Sequence, residues 1–357
     1  MPTGLRGVGK TVLLNRFCEI AGQEGFSTAF IEAPETGDFR TLLAMKLRRV
    51  LLDLRRNRVT EAVLKALRVL KAFSLQLPDG SSMTLDVEPL LGSADSGILA
   101  EDVTDLLIAV GQATGSCNIG FLLAIDEVQY LKTEELAALI MAIHRTTQLN
   151  LPVVLAGAGL PQLPGLAGEA KSYAERLFDY PAVGELGKED AAAALQIPAQ
   201  DAGADFEPEA LKRIVTEAHG YPYFLQEWGY HVWSTAEGPL ITVSDVDAAR
   251  AGVFNQLDRN FFLVRYDRLT PMEKQYLRAM AELGPGPHRS GDIAACLKVK
   301  VESVAPRRSA LITKGMIYSP AHGDTAFTVP LFDEYLKRVL PELPTKKQKY
   351  IMDTDDL

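Results

Sequence analysis

Cysteine is scarce in this chain of 357 residues. Its three cysteines, Cys18, Cys117 and Cys296, lie far apart and show no C-x-x-C spacing. The sequence therefore implies neither a disulfide framework nor a cysteine-based zinc site. Such cysteine usage is typical of proteins in a reducing compartment.

The chain also lacks an excess of positive charge and has no long apolar run. The net charge of −9 excludes a surface that is basic throughout, although it leaves room for one local basic patch that contacts nucleic acid. No apolar run reaches the roughly 18 residues of a membrane span, and no signal peptide precedes the first motif. We therefore expect a soluble, cytoplasmic protein that makes no membrane contact.

A glycine-rich motif opens the chain: Gly4-Leu5-Arg6-Gly7-Val8-Gly9-Lys10-Thr11 matches G-x-x-x-x-G-K-[ST], the phosphate-binding loop of P-loop nucleotidases. Glycines allow successive backbone amides to turn toward the phosphates, and the following helix directs its positive end at the same charge. Lys10 is expected beside the β- and γ-phosphates, and the Thr11 hydroxyl is expected to bind Mg²⁺. The predicted nucleotide-binding residues of this segment are Gly4, Gly7, Val8, Gly9, Lys10, Thr11 and Val12.

The strand that normally holds such a loop is missing from the sequence. Only Met1, Pro2 and Thr3 precede the motif, and a buried strand needs about five residues. We therefore predict an α/β fold, a P-loop parallel sheet that lacks its first strand, with a poorly anchored loop. If no apolar strand is encoded upstream, nucleotide affinity should be weak. We also expect the gene model to be shortened at its N-terminus.

A continuous apolar strand at residues 121–125 ends in two carboxylates, Asp126 and Glu127. Unbroken apolar character is typical of a parallel strand covered on both faces, and ligands bind at the carboxyl ends of such strands. Asp126 is expected to hold the metal, and Glu127 to orient the attacking water. The next strand, at residues 151–157, leads into Ala156-Gly157-Ala158-Gly159, which has no polar side chain to sense the γ-phosphate.

Three further segments have simpler patterns. Residues 40–58 form a helix with a basic side, which is either a solvated face or a contact for nucleic acid or an acidic partner. Residues 73–77 and 83–87 alternate about Pro78-Asp79-Gly80 and predict a β-hairpin. A winged helix is predicted near the end of the chain, from three helices that start at Pro271, Gly291 and Ser303 and are followed by a hairpin. Because its Lys and Arg outnumber its Asp and Glu, Arg307, Arg308 and Lys314 are candidate contacts for duplex DNA; docking of a regulatory protein is the alternative.

Taken together, these motifs resemble the AAA+ and STAND group of P-loop ATPases, in particular the origin-recognition-complex-like and archaeal-type AAA ATPases. The resemblance implies a helical lid in which Gly220 and Pro222 of His219-Gly220-Tyr221-Pro222 lie near the nucleotide. It also implies self-association and makes Arg176 either an arginine finger or a structural ion-pair residue. The domains expected are an ATPase core at 1–186, a lid at 187–265, a winged helix at 266–343 and a tail at 344–357.

The function expected is Mg²⁺-dependent ATP hydrolysis that controls the winged helix, with Glu127, Lys10 and Arg176 as catalytic residues. No guanine-reading motif is present, so ATP and ADP are the expected ligands. The alternative is a nucleotide-bound switch with little or no turnover, which the missing polar sensor favours.

Overall fold

The computed structural model describes residues 1–77, 84–321 and 323–343, and all statements below concern these residues. The chain divides into two compact units. The first contains Met1–Gly4 and Lys10–Val183, and the second contains Leu5–Gly9 and Gly184–Leu357. Each unit has its own hydrophobic core.

A parallel sheet forms the centre of the first unit. Its strands are β1 (Ser27–Glu32), β2 (Phe121–Asp126) and β3 (Val153–Gly157), in the order β1-β2-β3. Every residue of β2 is buried, as its unbroken apolar sequence predicts for a central parallel strand. The helices of this unit are α1 (Lys10–Gln23), α2 (Phe39–Asn57), α3 (Glu61–Ser74), α4 (Leu99–Ser116), α5 (Thr133–Gln148), α6 (Leu163–Ala170) and α7 (Ala174–Leu177).

Among the described residues no strand precedes the glycine-rich loop, only a single bridging residue, yet the loop is well anchored. Thr3 forms parallel bridges to Gly159 on one side and to Ala182 on the other. The amide of Gly4 donates to Gly159 O over 3.1 Å, and the amide of Thr3 donates to Pro181 O over 2.9 Å. The expectation of a poorly anchored loop was therefore wrong, since two or three residues suffice to hydrogen bond on both sides.

The predicted hairpin about residues 78–80 was also wrong. Phe73 lies in the last turn of α3, and residues 84–87 form no strand. Helix α3 begins after Thr60, whose hydroxyl accepts from the amide of Val63 over 3.2 Å, and it buries residues at helical spacing through Leu70 and Phe73. A five-residue alternation was too short to distinguish a strand from this helix end. Residues 78–83 lie outside the described part of the chain.

The second unit is mainly helical. Its helices are α8 (Lys188–Asp201), α9 (Pro208–Glu217), α10 (Pro222–Thr235), α11 (Val243–Gln256), α12 (Val264–Tyr266), α13 (Pro271–Leu283), α14 (Ser290–Cys296), α15 (Ala305–Thr313) and α16 (Phe332–Val339). Its strands are β4 (Asp205–Phe206), β5 (Leu240–Ile241), β6 (His288–Arg289), β7 (Ile317–Tyr318) and β8 (Asp324–Phe327).

The predicted hairpin near the end of the chain is confirmed. Strands β7 and β8 pair antiparallel, with Ile317 opposite Phe327, and β6 joins the other edge of β8. Helix α13 begins as predicted: the Thr270 hydroxyl accepts from the amide of Glu273, and the Glu273 carboxylate accepts from the amide of Thr270. Three helices, α13 to α15, thus accompany a small antiparallel sheet. No helix among the described residues is long and apolar enough to cross a membrane.

Candidate nucleotide site

Two side chains from distant parts of the sequence meet at the carboxyl end of β2. The Thr11 hydroxyl donates to Asp126 Oδ2 over 2.5 Å. Asp126 is the last residue of β2 and is buried, with 3% of its surface exposed. The amide of Glu127 donates to Asp126 Oδ1 over 2.8 Å. A hydroxyl oxygen and a carboxylate oxygen of this kind are the ligands that Mg²⁺ prefers.

Lys10 lies at the start of α1 with its side chain largely buried, at 6% exposure. Its Nζ donates to the carbonyl oxygen of Gly4 over 3.1 Å, so the lysine side chain folds back across the loop that precedes it. Burying an ammonium group is costly without anionic or hydrogen-bonding partners. The position of the Lys10 ammonium group is therefore suited to hydrogen bonding with phosphate oxygens.

The phosphate loop uses backbone conformations that favour glycine. Gly7 and Gly9 have φ angles of 82° and 88°, in the left-handed region. A Cβ at Gly9 would meet nothing within 4 Å, whereas a Cβ at Gly7 would lie 3.2 Å from Tyr223 Cβ. The loop residue Val8 is buried, while Val12 on α1 is exposed, at 67%.

Glu127, the predicted water-orienting residue, has a left-handed backbone, with φ 52° and ψ 39°. Only a few per cent of non-glycine residues adopt this conformation, and such outliers cluster at functional sites. The Gln129 side-chain amide donates to Glu127 Oε2. Sequence reasoning missed Gln129, which lies in the short 3₁₀ helix Val128–Tyr130 after the acidic strand.

The segment Gly220-x-Pro222, which was predicted to lie in a lid, directly precedes Tyr223, and Tyr223 contacts the glycine-rich loop within the same unit. The amide of Tyr223 donates to Gly7 O over 3.1 Å. Gly220 has a φ of 71° and approaches the backbone of Leu186 so closely that a Cβ would lie 2.5 Å from the Leu186 oxygen. Pro222 is the first residue of α10, where its fixed φ suits a helix start.

Burial raises the pKa of the Tyr223 hydroxyl to about 12, with a further contribution from the nearby Glu227 carboxylate. The Tyr223 ring stacks on Phe261 with 4.8 Å between ring centroids. Tyr223 therefore stays neutral at physiological pH, and its packing fixes the backbone amide that binds the loop.

Arg176 lies on the short helix α7 and its side chain is exposed. In the described ranges it takes part in no salt bridge. The structure thus brings Lys10, Thr11, Asp126 and Glu127 into one region of the first unit but leaves Arg176 on the surface.

Two of the three candidate DNA contacts make intrachain bonds. Arg308 donates to Thr325 Oγ1, Ser319 Oγ and Asp324 O, at 2.9, 2.8 and 3.0 Å. Lys314 donates to Glu273 Oε2 over 2.7 Å. Both side chains therefore brace the hairpin and the helices around it. Arg307 is half-buried on α15. DNA contact by these three residues stays a prediction.

Two protein families match parts of this chain. Residues 2–161 match the family described as an AAA domain, and residues 259–336 match a family described as a domain of unknown function, DUF8462. A search of curated proteins gives no match.

Among solved structures, the chain is similar to a Walker-type ATPase of Pyrococcus abyssi, with 16% identity, a TM-score of 0.55, and coverage of 94% of this chain and 90% of that one. It is also similar to Cdc6p from Pyrobaculum aerophilum, with 14% identity, a TM-score of 0.44 and coverage of 96% and 86%. The TM-score of 0.55 indicates that this chain shares the fold of the Pyrococcus abyssi ATPase.

The chain therefore has the α/β fold of a P-loop ATPase, which confirms the fold class predicted from the sequence. Its residues 2–161 match the AAA domain family, in agreement with the resemblance noted from the motifs.

Proposed function

We propose that this protein binds ATP with Mg²⁺ and hydrolyses it, and that the nucleotide state controls its C-terminal elements. The observation that carries the proposal is the 2.5 Å hydrogen bond between Thr11 and Asp126. It unites the two predicted metal-binding groups although 115 positions separate them in the sequence.

The residues present fit ATP and Mg²⁺. Thr11 and Asp126 would hold the metal, which when bound would neutralise negative charge on the β- and γ-phosphates. The Lys10 ammonium group would lie against the same phosphate oxygens, and the loop amides would donate to them. Glu127 would orient a water molecule for attack on the γ-phosphate and accept its proton.

The link to the C-terminal elements follows from contacts of the phosphate loop inside the second unit. The amide of Arg6 donates to Thr328 O over 3.0 Å, and Thr328 directly follows β8. Gly7 O accepts from the amide of Tyr223 at the start of α10. A change in loop conformation on nucleotide binding or release would therefore act on both α10 and the β7–β8 hairpin.

We further propose that residues 266–343 form a winged helix, in which α13 to α15 and the β7–β8 hairpin are the helical and wing parts. Its surplus of Lys and Arg over Asp and Glu supports contact with duplex DNA. A regulatory protein is the alternative partner. Exposed Arg176 supports action in trans, since an arginine finger must reach the site of a neighbouring copy.

Phosphate release tests this function. Wild-type protein should release phosphate from ATP in the presence of Mg²⁺, and Glu127→Gln should bind ATP normally while losing turnover by at least about a hundredfold. Asp126→Asn, the comparison variant at the neighbouring carboxylate, should instead weaken Mg²⁺ binding and so raise the Mg²⁺ concentration that turnover requires. Equal phosphate release by wild type and Glu127→Gln would contradict hydrolysis at this site.

A second function, a nucleotide-bound switch without turnover, is favoured by one observation. Residues 156–159, which form the end of β3 and the two positions after it, carry no polar side chain. Under this reading wild-type protein would bind ATP, respond to it in its DNA or partner affinity, and release no phosphate with or without duplex DNA.

A further inference from the structure

The side chain of Gln129 connects the water-orienting Glu127 to the segment that follows β3. Its Nε2 donates to Glu127 Oε2, and its Oε1 accepts from the amide of Leu160 over 3.0 Å. The partners fix which end of the carboxamide is which, because a backbone amide only donates and an ionised carboxylate only accepts.

The backbone around Gln129 is built for this connection. The left-handed conformation of Glu127 turns the chain directly after β2, and the amide of Val128 then donates to Ala158 O over 2.9 Å. This places Gln129 over residues 158–160. A Cβ at Gly159 would lie 2.8 Å from Gln129 Oε1, so a glycine here leaves the room that the side chain occupies.

The same segment contacts the start of the phosphate loop. The amide of Gly4 donates to Gly159 O over 3.1 Å. A continuous path inside the first unit therefore runs from Gly4 through Gly159 and Leu160 to Gln129 and the Glu127 carboxylate.

We propose that Gln129 is a positioning residue for hydrolysis, which holds the Glu127 carboxylate in its water-orienting place. The Gln129 side chain supplies a polar carboxamide group beside the end of β3, where residues 156–159 carry no polar side chain. The inference rests on the proposed hydrolysis of ATP and adds to it a residue outside the predicted site.

Two variants separate orientation from structure. Gln129→Glu keeps an oxygen that can accept from Leu160 but removes the donor to Glu127 and sets a second carboxylate beside it. Gln129→Ala removes both bonds. Both variants should lower kcat by roughly tenfold to a hundredfold, as the loss of supporting hydrogen bonds commonly does, while the Kd for ATP stays within about threefold. Gln148→Ala, an exposed glutamine on α5, is the matched control and should leave both constants unchanged.

A double-mutant cycle completes the test. Adding Gln129→Glu to Glu127→Gln should cause no further loss of kcat, because the residue acts through Glu127. An unchanged kcat in both Gln129 variants, or an equal loss with and without Glu127, would overturn the inference while wild-type turnover upholds the proposed function. Wild-type protein that binds ATP without turnover would overturn both.

Discussion

Substituting Gly220 by alanine should destabilise the second unit strongly. Its φ of 71° is left-handed, and the added methyl group would lie 2.5 Å from the backbone oxygen of Leu186. A left-handed backbone costs an alanine about 1 to 2 kcal/mol, and overpacking against a neighbour that cannot swing away costs about 1 to 3 kcal/mol more. We therefore expect a loss of about 2 to 5 kcal/mol in the free energy of unfolding.

Gly203→Ala is the matched control, because Gly203 has a φ of 83° in the same unit but open space around its Cβ position. It should cost only the backbone strain, about 1 to 2 kcal/mol. Both tryptophans of the chain, Trp228 and Trp233, lie on α10 in the second unit. Urea unfolding followed by tryptophan fluorescence therefore monitors the unit that contains Gly220 and Gly203.

The steric argument predicts a difference of about 1 to 3 kcal/mol between the two variants. If their unfolding free energies agree within about 0.5 kcal/mol, which is within the scatter of ordinary surface changes, the close approach at Gly220 contributes nothing and the reasoning is refuted. ATP affinity provides a second readout, since Gly220 precedes the α10 residues that bind the phosphate loop.

Two further predictions concern charged side chains. Burial opposes ionisation of Glu273, but hydrogen bonds from Lys314 and Thr270 outweigh the effect of burial and hold the pKa of Glu273 below the usual 4.5. The Glu273–Lys314 pair therefore stabilises the fold fully above pH 4.5, and this stabilisation is lost as the pH falls through the folded-state pKa of Glu273. Lys314→Met should therefore cost about 1 to 3 kcal/mol at neutral pH and less as the pH falls through the folded-state pKa of Glu273, although the bond from Lys314 to Arg268 O does not depend on that carboxylate; a cost that does not fall with pH would contradict the pKa direction. Arg176→Ala should lower ATP turnover by a factor of about a thousand or more without changing ATP affinity, and Arg16→Ala on exposed α1 should not; equal rates in both variants would exclude an arginine finger at this position.

Structural features that depend on the local backbone could be predicted from the sequence. The glycine spacing of the phosphate loop and the apolar run before Asp126 each specify a local structure, and the order of strands in a parallel sheet then brings Thr11 and Asp126 together. The helix start at Pro271 was predictable for the same reason, because both hydrogen bonds of the cap at Thr270 span three residues.

Features that depend on tertiary neighbours could not be predicted in this way. Gln129 reaches Glu127 and Leu160 because the backbone turns left-handed after β2, and no local pattern in the sequence signals that turn. Arg308 was predicted as a candidate contact for duplex DNA, and the sequence did not indicate that it makes three hydrogen bonds within the hairpin region. Phe73 fits both an alternating strand and a helix, and its burial against the core of the first unit selects the helix.

Nucleotide-dependent stability tests the central claim most directly. Thermal unfolding of the whole chain, followed by circular dichroism, should show stabilisation by ATP with Mg²⁺ of about 2.7 kcal/mol at a hundredfold excess over Kd. Lys10→Ala, which removes the buried ammonium group at the loop, should show none. Stabilisation that is absent in wild type, or that persists undiminished in Lys10→Ala, would contradict ATP binding at this phosphate loop.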